Sequence, residues 1–384
     1  MRAMYFVLRS NPVCQKYTGS QYKQPRYKIL HLSFRSSFYK RVYPSLVTTT
    51  SGSFRCFMSM SKGATTDYAA QSVSTKEPVV SADWLHANLK DPDVKVLDAS
   101  WYMPDEKRNP FQEYQVGHIP GSLFFDVDGI SDRNSNLPHM LPKEEAFAAA
   151  VSALGIQNKD GLVVYDGKGI FSAARVWWMF RVFGHDRIWV LDGGLPQWRS
   201  SGYDVESSAS GDSILKVSLQ VKQSRKYIAE KQQVSPITFQ TKYQPDLVWT
   251  LEQVKRNVED QKYQHIDARG KPRFEGAVPE PRKGVRSGHV PGSKCIPFGQ
   301  MLDGSQTLLP SDKLQERFEQ EGISLDKPVM TSCGTGVTAC ILALGPDLVP
   351  KYDDSVWPWG PNPVSKILVT RLSRDQIRSL TFGR

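Results

Sequence analysis

Acidic side chains are missing from the first 66 positions of this 384-residue chain, although eleven Lys and Arg residues stand there, from Arg2 to Lys62. That absence localises the formal net charge of +10, because the rest of the chain carries 38 basic against 39 acidic residues. A near-neutral body gives no electrostatic ground for a nucleic-acid partner, and none is expected. Apolar runs are short as well. None approaches the roughly 18 to 20 residues that span a bilayer, so no membrane partner is expected either. Cysteine is scarce, with five residues of which Cys14 and Cys56 lie among the first 66. The remaining three, Cys295, Cys333 and Cys340, are odd in number and lack metal-type spacing. This favours a reactive thiol over a disulfide framework, gives no reason to expect a metal or cofactor, and fits a reducing compartment.

What is present begins with the leader, residues 1–66, which is basic, rich in Ser, Thr and Tyr, and has no continuous apolar stretch. These are the marks of an organelle transit peptide rather than a secretory signal. A mitochondrial destination is expected, with the chloroplast as alternative, or the cytoplasm if translation starts near Met58 or Met60. A basic arm that binds nucleic acid is the competing reading of the same charges. A chain begun near Met58 or Met60 would lose that affinity if the leader is its only source.

Beyond the leader the chain repeats itself at an offset of 167 to 171 residues, a spacing that signals domain duplication. Ser81 and Thr250 each open a helical pattern, the second with Gln253 placed for a capping box. Short apolar strands follow, Val94 to Ala99 and Gln264 to Ala268. Gly117-His118-Ile119-Pro120-Gly121-Ser122 then matches Gly288-His289-Val290-Pro291-Gly292-Ser293. Helices over Lys143 to Leu154 and Ser311 to Gln320 lead into strands Leu162 to Tyr165 and Pro328 to Ser332. At the ends of those strands the copies diverge, Asp166-Gly167-Lys168-Gly169 standing against Cys333-Gly334-Thr335-Gly336. Alternating strands and helices predict a parallel α/β sheet in each half. The expected boundaries are domain one at 78–205, a polar linker at 206–245, domain two at 246–357, and a tail at 358–384.

Ligands of open α/β sheets bind at the carboxyl ends of strands, and Cys333 stands there, directly before a helix. The loop Cys333-Gly334-Thr335-Gly336-Val337-Thr338 has the glycines needed to turn successive N–H groups inward as an anion-binding nest on the positive end of the helix. A thiolate in that field is stabilised and nucleophilic near neutral pH, and a persulfide anion fits the same cradle. A buried, inert cysteine is the alternative. Trp177, Trp178, Phe180 and Phe183 recur at helical spacing and read as core.

The Cys333 loop, the paired Gly-His-Ile/Val-Pro-Gly-Ser motifs and the tandem arrangement resemble the rhodanese superfamily, specifically its plant-type mercaptopyruvate/thiosulfate sulfurtransferases, from about Val79 to Gly345. The resemblance implies two tandem rhodanese-like domains, with the first an inactive copy and the second catalytic through Cys333. It implies transfer of sulfur from 3-mercaptopyruvate, less well from thiosulfate, through a Cys333 persulfide to cyanide, a small thiol or thioredoxin, by a monomer. Arg273 and Arg282 match the family's carboxylate-binding arginines, and Gly334, Gly336, Val337 and Thr338 complete the substrate cradle. Thr335 fills the hydroxyl slot of a proton relay and His118 its histidine slot, with Asp105 and Glu106 as the acids on offer. Read from the residues alone, Arg273 and Arg282 could be solvated surface charges, and His118 could be structural, bonding a tight turn as His289 does in the other copy. A phosphatase on the same fold would carry a longer loop ending in Arg, whereas the position six after Cys333 is Ala339.

The second copy departs from the pattern after its loop. Gly345-Pro346 arrives after about two helical turns, so the helix is expected to stop there. Gly336 to Asp353 spans 17 positions where Gly169 to Asp192 spans 23, and residues 358–384 have no counterpart in the first copy. A damaged second domain leaves open an impaired isoform that serves as persulfide carrier or regulator.

Overall fold

The structure, a computed structural model, describes residues 77–135, 137–208, 236–281 and 287–345, with the backbone of 346–348 and 365–368. The first repeat begins with strand β1 (Val79–Val80) and helix α1 (Ala82–Asn88), whose Ser81 cap accepts from the Trp84 amide at 3.1 Å. Then come β2 (Val94–Asp98), α2 (Pro110–Val116), β3 (Leu123–Phe124) and α3 (Glu144–Ala153). β4 (Gly161–Tyr165), α4 (Ala173–Val182), β5 (Ile188–Leu191) and α5 (Gly194–Ser200) complete it. The strands form one parallel sheet in the order β1-β5-β4-β2-β3. β4 is buried along its whole length, as its unbroken apolar run requires.

In the second repeat, the expected capping box forms at α6 (Leu251–Asp260), with the Gln253 side chain accepting from the Thr250 amide at 2.7 Å. β6 (Gln264–Asp267), α7 (Lys271–Phe274), β7 (Lys294–Cys295), α8 (Ser311–Gln320), β8 (Val329–Ser332), α9 (Ala339–Leu348) and β9 (Ser365–Leu368) follow. Their sheet is also parallel, in the order β7-β6-β8-β9. Position for position, β7, β6 and β8 repeat β3, β2 and β4.

Two expectations about the end of this repeat need correction. α9 does not stop at Gly345 but runs to Leu348, ten residues, the same length as α4. Pro346 falls in its last turn and costs about 3 kcal/mol. Ile341, Leu342 and Leu344 are fully buried upstream of it, and each contributes roughly 1.5–3 kcal/mol, so burial wins. Gly345 itself allows close packing, since a Cβ there would lie 2.6 Å from Met301 Cε and 3.1 Å from the Phe318 ring. The segment after residue 357 is not wholly outside the domain. It supplies β9, which pairs Ser365 to Leu368 with Val329 to Ser332 in the slot that β5 fills in the first sheet.

Linker residues 209–235 lie outside the described part. The chain that returns from them lies along the first domain, with Phe239 buried and the Lys242 and Gln244 amides donating to Phe183 O and Val182 O at 2.9 and 2.7 Å. One continuous core then joins the repeats: α4 packs on α9, and the Phe171 ring lies tilted against Phe298, 5.8 Å between centroids. The Leu308 amide donates to Asp192 Oδ1 at 2.9 Å, and burial pushes the Asp192 carboxyl up to about 6 despite that bond.

Candidate active site

β8 delivers Cys333 to the carboxyl edge of the second sheet. Two polar contacts fix the strand end: Ser332 Oγ lies 2.7 Å from His265 Nε2 on β6, and the Thr331 hydroxyl donates to Ala339 O at 3.0 Å. Burial pushes the His265 imidazole down to about 4, so the ring is neutral at pH 7. From this fixed point residues 333–338 wind into α9. Gly336 adopts φ +74°, a left-handed conformation that a side chain would resist, and its N–H donates to Cys333 Sγ at 3.1 Å. Val337 is buried, while Cys333, Gly334, Thr335 and Thr338 are part-exposed. The sulfur is thus reachable from solvent and held by a backbone donor.

The first repeat shows what this cradle does with a fixed anion. Asp166, at the position of Cys333, is 1% exposed and accepts from the amides of Lys168, Phe171 and Ala173 at 2.9, 2.7 and 2.8 Å. Burial raises its pKa and those amides oppose the rise. The first repeat therefore fills its nest with its own carboxyl group. The second copy places the Cys333 sulfur there instead.

Arg273 stands over the loop: a Cβ on Gly334 would lie 3.0 Å from its Nη2. Glu280, 4% exposed, aims that guanidinium, accepting from Arg273 Nε at 3.1 Å and also from Nη2. Arg269 braces Glu280 from the other side at 2.9 Å and donates to Asp267 Oδ2 and Gly288 O, both at 2.6 Å. Burial alone would lower the Arg269 pKa, but Asp267 and Glu280 together raise it. Sequence reasoning singled out Arg273 and missed Glu280 and Arg269. A doubly bonded carboxylate of this kind is a tertiary pairing with no signature in the chain. Arg282 lies outside the described residues.

A second guanidinium approaches from below and from the other repeat. Arg175 on α4 is 1% exposed, donates from Nη1 to Gly336 O at 3.3 Å, and donates from Nη2 to His139 O. Its sequence signal is that of one of two arginines, with Arg181, in a largely apolar helical run, which the reading of α4 as core passed over.

His118 is held by hydrogen bonds on both ring nitrogens. Its ring is 2% exposed, with Nδ1 2.6 Å from Tyr114 O, Nε2 3.1 Å from Glu206 Oε1, and its face stacked on Tyr114 at 4.1 Å. Glu206 also accepts from the Gly121 amide at 2.8 Å, so the pair pins the Gly-Pro turn. Both nitrogens are engaged inside the first domain, and a proton could pass through the ring only by breaking those bonds. His289 repeats the arrangement, with Nδ1 2.8 Å from Phe274 O and the ring stacked at 3.8 Å. The structural reading of His118 is the one this geometry fits. Its acid is Glu206, while Glu106 pairs with Lys168 at 3.0 Å. Trp177, Trp178, Phe180 and Phe183 are all core, as expected.

The rhodanese-like domain family matches residues 81–201 and 250–349. Thiosulfate/3-mercaptopyruvate sulfurtransferase 1, mitochondrial, of Arabidopsis thaliana is 71% identical over 301 residues, covering 77% of this chain and 79% of that protein. Thiosulfate/3-mercaptopyruvate sulfurtransferase 2 of the same plant is 62% identical over 333 residues, covering 85% and 96%. Among solved structures, a 3-mercaptopyruvate sulfotransferase from Escherichia coli superposes with a TM-score of 0.62 at 34% identity, covering 77% of this chain and 99% of its own. A duplicated α/β fold with a thiol at the second strand end defines the class, and the chain belongs to the rhodanese superfamily as a tandem-domain enzyme. Within it, the chain is a plant-type sulfurtransferase.

Proposed function

We propose that the chain moves sulfur from 3-mercaptopyruvate, and less well from thiosulfate, through a Cys333 persulfide to a thiol, thioredoxin or cyanide. The observation that carries this is one part-exposed cysteine, its sulfur bonded by the Gly336 amide, on a loop whose next residue, Gly334, packs against the Arg273 guanidinium. Both named plant relatives are thiosulfate/3-mercaptopyruvate sulfurtransferases, which supports the same pair of donors. A planar guanidinium suits the α-keto carboxylate, since it donates parallel hydrogen bonds to two oxygens. Arg282 is proposed as its companion, and Thr335 and Thr338 as hydroxyls at the rim of the cradle.

In the first half-reaction the Cys333 thiolate attacks the donor sulfur. The carbon–sulfur bond breaks, its electron pair leaves with pyruvate as the enolate, and protonation at carbon completes the product. In the second, a thiolate acceptor attacks the outer sulfur, the S–S bond breaks, and Cys333 recovers its electron pair. Two products released in turn give ping-pong kinetics. The carrier alternative was motivated by a missing helix and strand, yet α9 and β9 are both present. Replacing Cys333→Ser is expected to abolish pyruvate release; turnover retained by that variant overturns the assignment.

Residues 1–66, free of acid and rich in Lys and Arg, are proposed to direct the chain to the mitochondrion, in line with the mitochondrial relative.

A further inference from the structure

α4 is an apolar helix of the first repeat, and Arg175 is the one Lys or Arg side chain in the core among the described residues. A buried cation is costly unless an anion answers it. No carboxylate does so among the described residues, and Nε has no hydrogen-bond partner there. Arg175 instead meets two backbone carbonyls, Gly336 O and His139 O, and the Trp178 ring 4.5 Å away. The ionisable groups within its electrostatic reach are the sulfurs of Cys340 and Cys333.

Cys340 is not the answering anion. It is fully buried, its S–H donates to Gly336 O at 3.1 Å, and burial pushes its thiol up to about 12. Cys333 is part-exposed and already takes an amide donor. Gly336 is the joint of this arrangement. Its N–H faces the Cys333 sulfur while its carbonyl is held from below by Arg175 and Cys340. The reverse contact is missing: at the offset that sets Asp166 against Cys333, the counterpart of Arg175 is Leu342, fully buried and neutral. The cation is supplied in one direction, from the inactive repeat to the active one.

We propose that Arg175 is a positioning residue of the Cys333 site: it fixes the Gly336 carbonyl beneath the loop and supplies the buried positive charge that the Cys333 thiolate, and then its persulfide, answer. This rests on the reading of Cys333 as nucleophile. It also gives the first repeat, which has no sulfur of its own at the strand end, a direct part in the chemistry.

The test is the pH dependence of iodoacetamide alkylation of the full chain, followed at the Cys333 peptide by mass spectrometry from about pH 5 to about pH 10. Arg175→Met removes the charge and keeps the bulk. Its alkylation midpoint is expected to rise by about one pH unit or more, whereas Arg175→Lys, which keeps a cation, stays near the wild type. The wild-type chain gives a second readout that needs no variant to fold. A buried counter-charge is poorly screened, so the midpoint should hold between about 0.05 and about 1 M KCl. A folded Arg175→Met with the wild-type midpoint overturns the proposal and leaves the nucleophile intact. So does a midpoint that climbs by more than about half a unit with salt, which would assign the charge to the exposed side of the site. Absence of any Cys333 alkylation in the wild type removes the nucleophile and this proposal with it.

Discussion

At the scale of the residue, the site divides labour among groups whose placement differs in kind. Cys333 and its glycines are contiguous in the chain, and their place at the strand end could be read from one hexapeptide because such a loop sets its own backbone geometry. Arg273 was identifiable in sequence only through its motif, and what aims it was not. Glu280 is seven residues from Arg273 and eleven from Arg269, and their union depends on how the loop folds back over β6. The acid beside His118, Glu206, was out of reach for the related reason that it stands 88 positions away, beyond any local pattern. If Arg273 grips the donor carboxylate, Arg273→Ala removes a charge-assisted pair worth about 1.5–3 kcal/mol. Steady-state kinetics should then show KM for 3-mercaptopyruvate raised about tenfold to a hundredfold, with kcat less affected. Unchanged KM would leave Arg273 as a surface charge paired with Glu280.

At the scale of the element, the repeat was the most legible feature, because interior parallel strands are written as apolar runs and helix starts as caps. The end of the second repeat was not legible. Proline propensity is a local cost, whereas the burial that overrides it in α9 depends on Met301, Phe318 and the facing α4. Likewise nothing in residues 365–368 announces that they will complete a sheet begun a hundred residues earlier. The β6–β8 pair carries a pH dependence of its own through His265, which is neutral in the fold with its pKa pushed down to about 4 by burial. Between that value and the ordinary value near 6.5, the unfolded chain binds a proton that the folded chain refuses. Stability from this group is therefore complete above about pH 6.5 and lost as pH falls toward 4, by roughly 3 kcal/mol in all. Asp98 and Asp192, both pushed up to about 6 by burial, act in the opposite sense, since the folded chain holds their protons longer. The wild-type curve is a sum, so the difference between wild type and His265→Gln is the quantity to measure by denaturant unfolding. The variant is expected to lose less stability than the wild type between about pH 6.5 and about pH 4, and parallel curves would contradict the assignment.

At the scale of the whole molecule, duplication produced two cradles that have diverged in what fills them. One is occupied for good by the carboxylate of Asp166, with three amides spent on it. The other holds the Cys333 sulfur, which accepts one amide, from Gly336, and on the proposed mechanism stays in place while a second sulfur is added to it and removed. The two halves share one core, through which the first repeat brings Arg175 to the Gly336 carbonyl of the second. All of this depends on sulfur residing on Cys333 between donor and acceptor. The direct measurement is to mix the chain with one equivalent of 3-mercaptopyruvate and no acceptor, then weigh the Cys333 peptide under non-reducing conditions. The account predicts a gain equal to the mass of one sulfur atom on that peptide, matched by one equivalent of pyruvate and reversed on adding a thiol. Pyruvate released in repeated turnovers with Cys333 never carrying extra sulfur would contradict it.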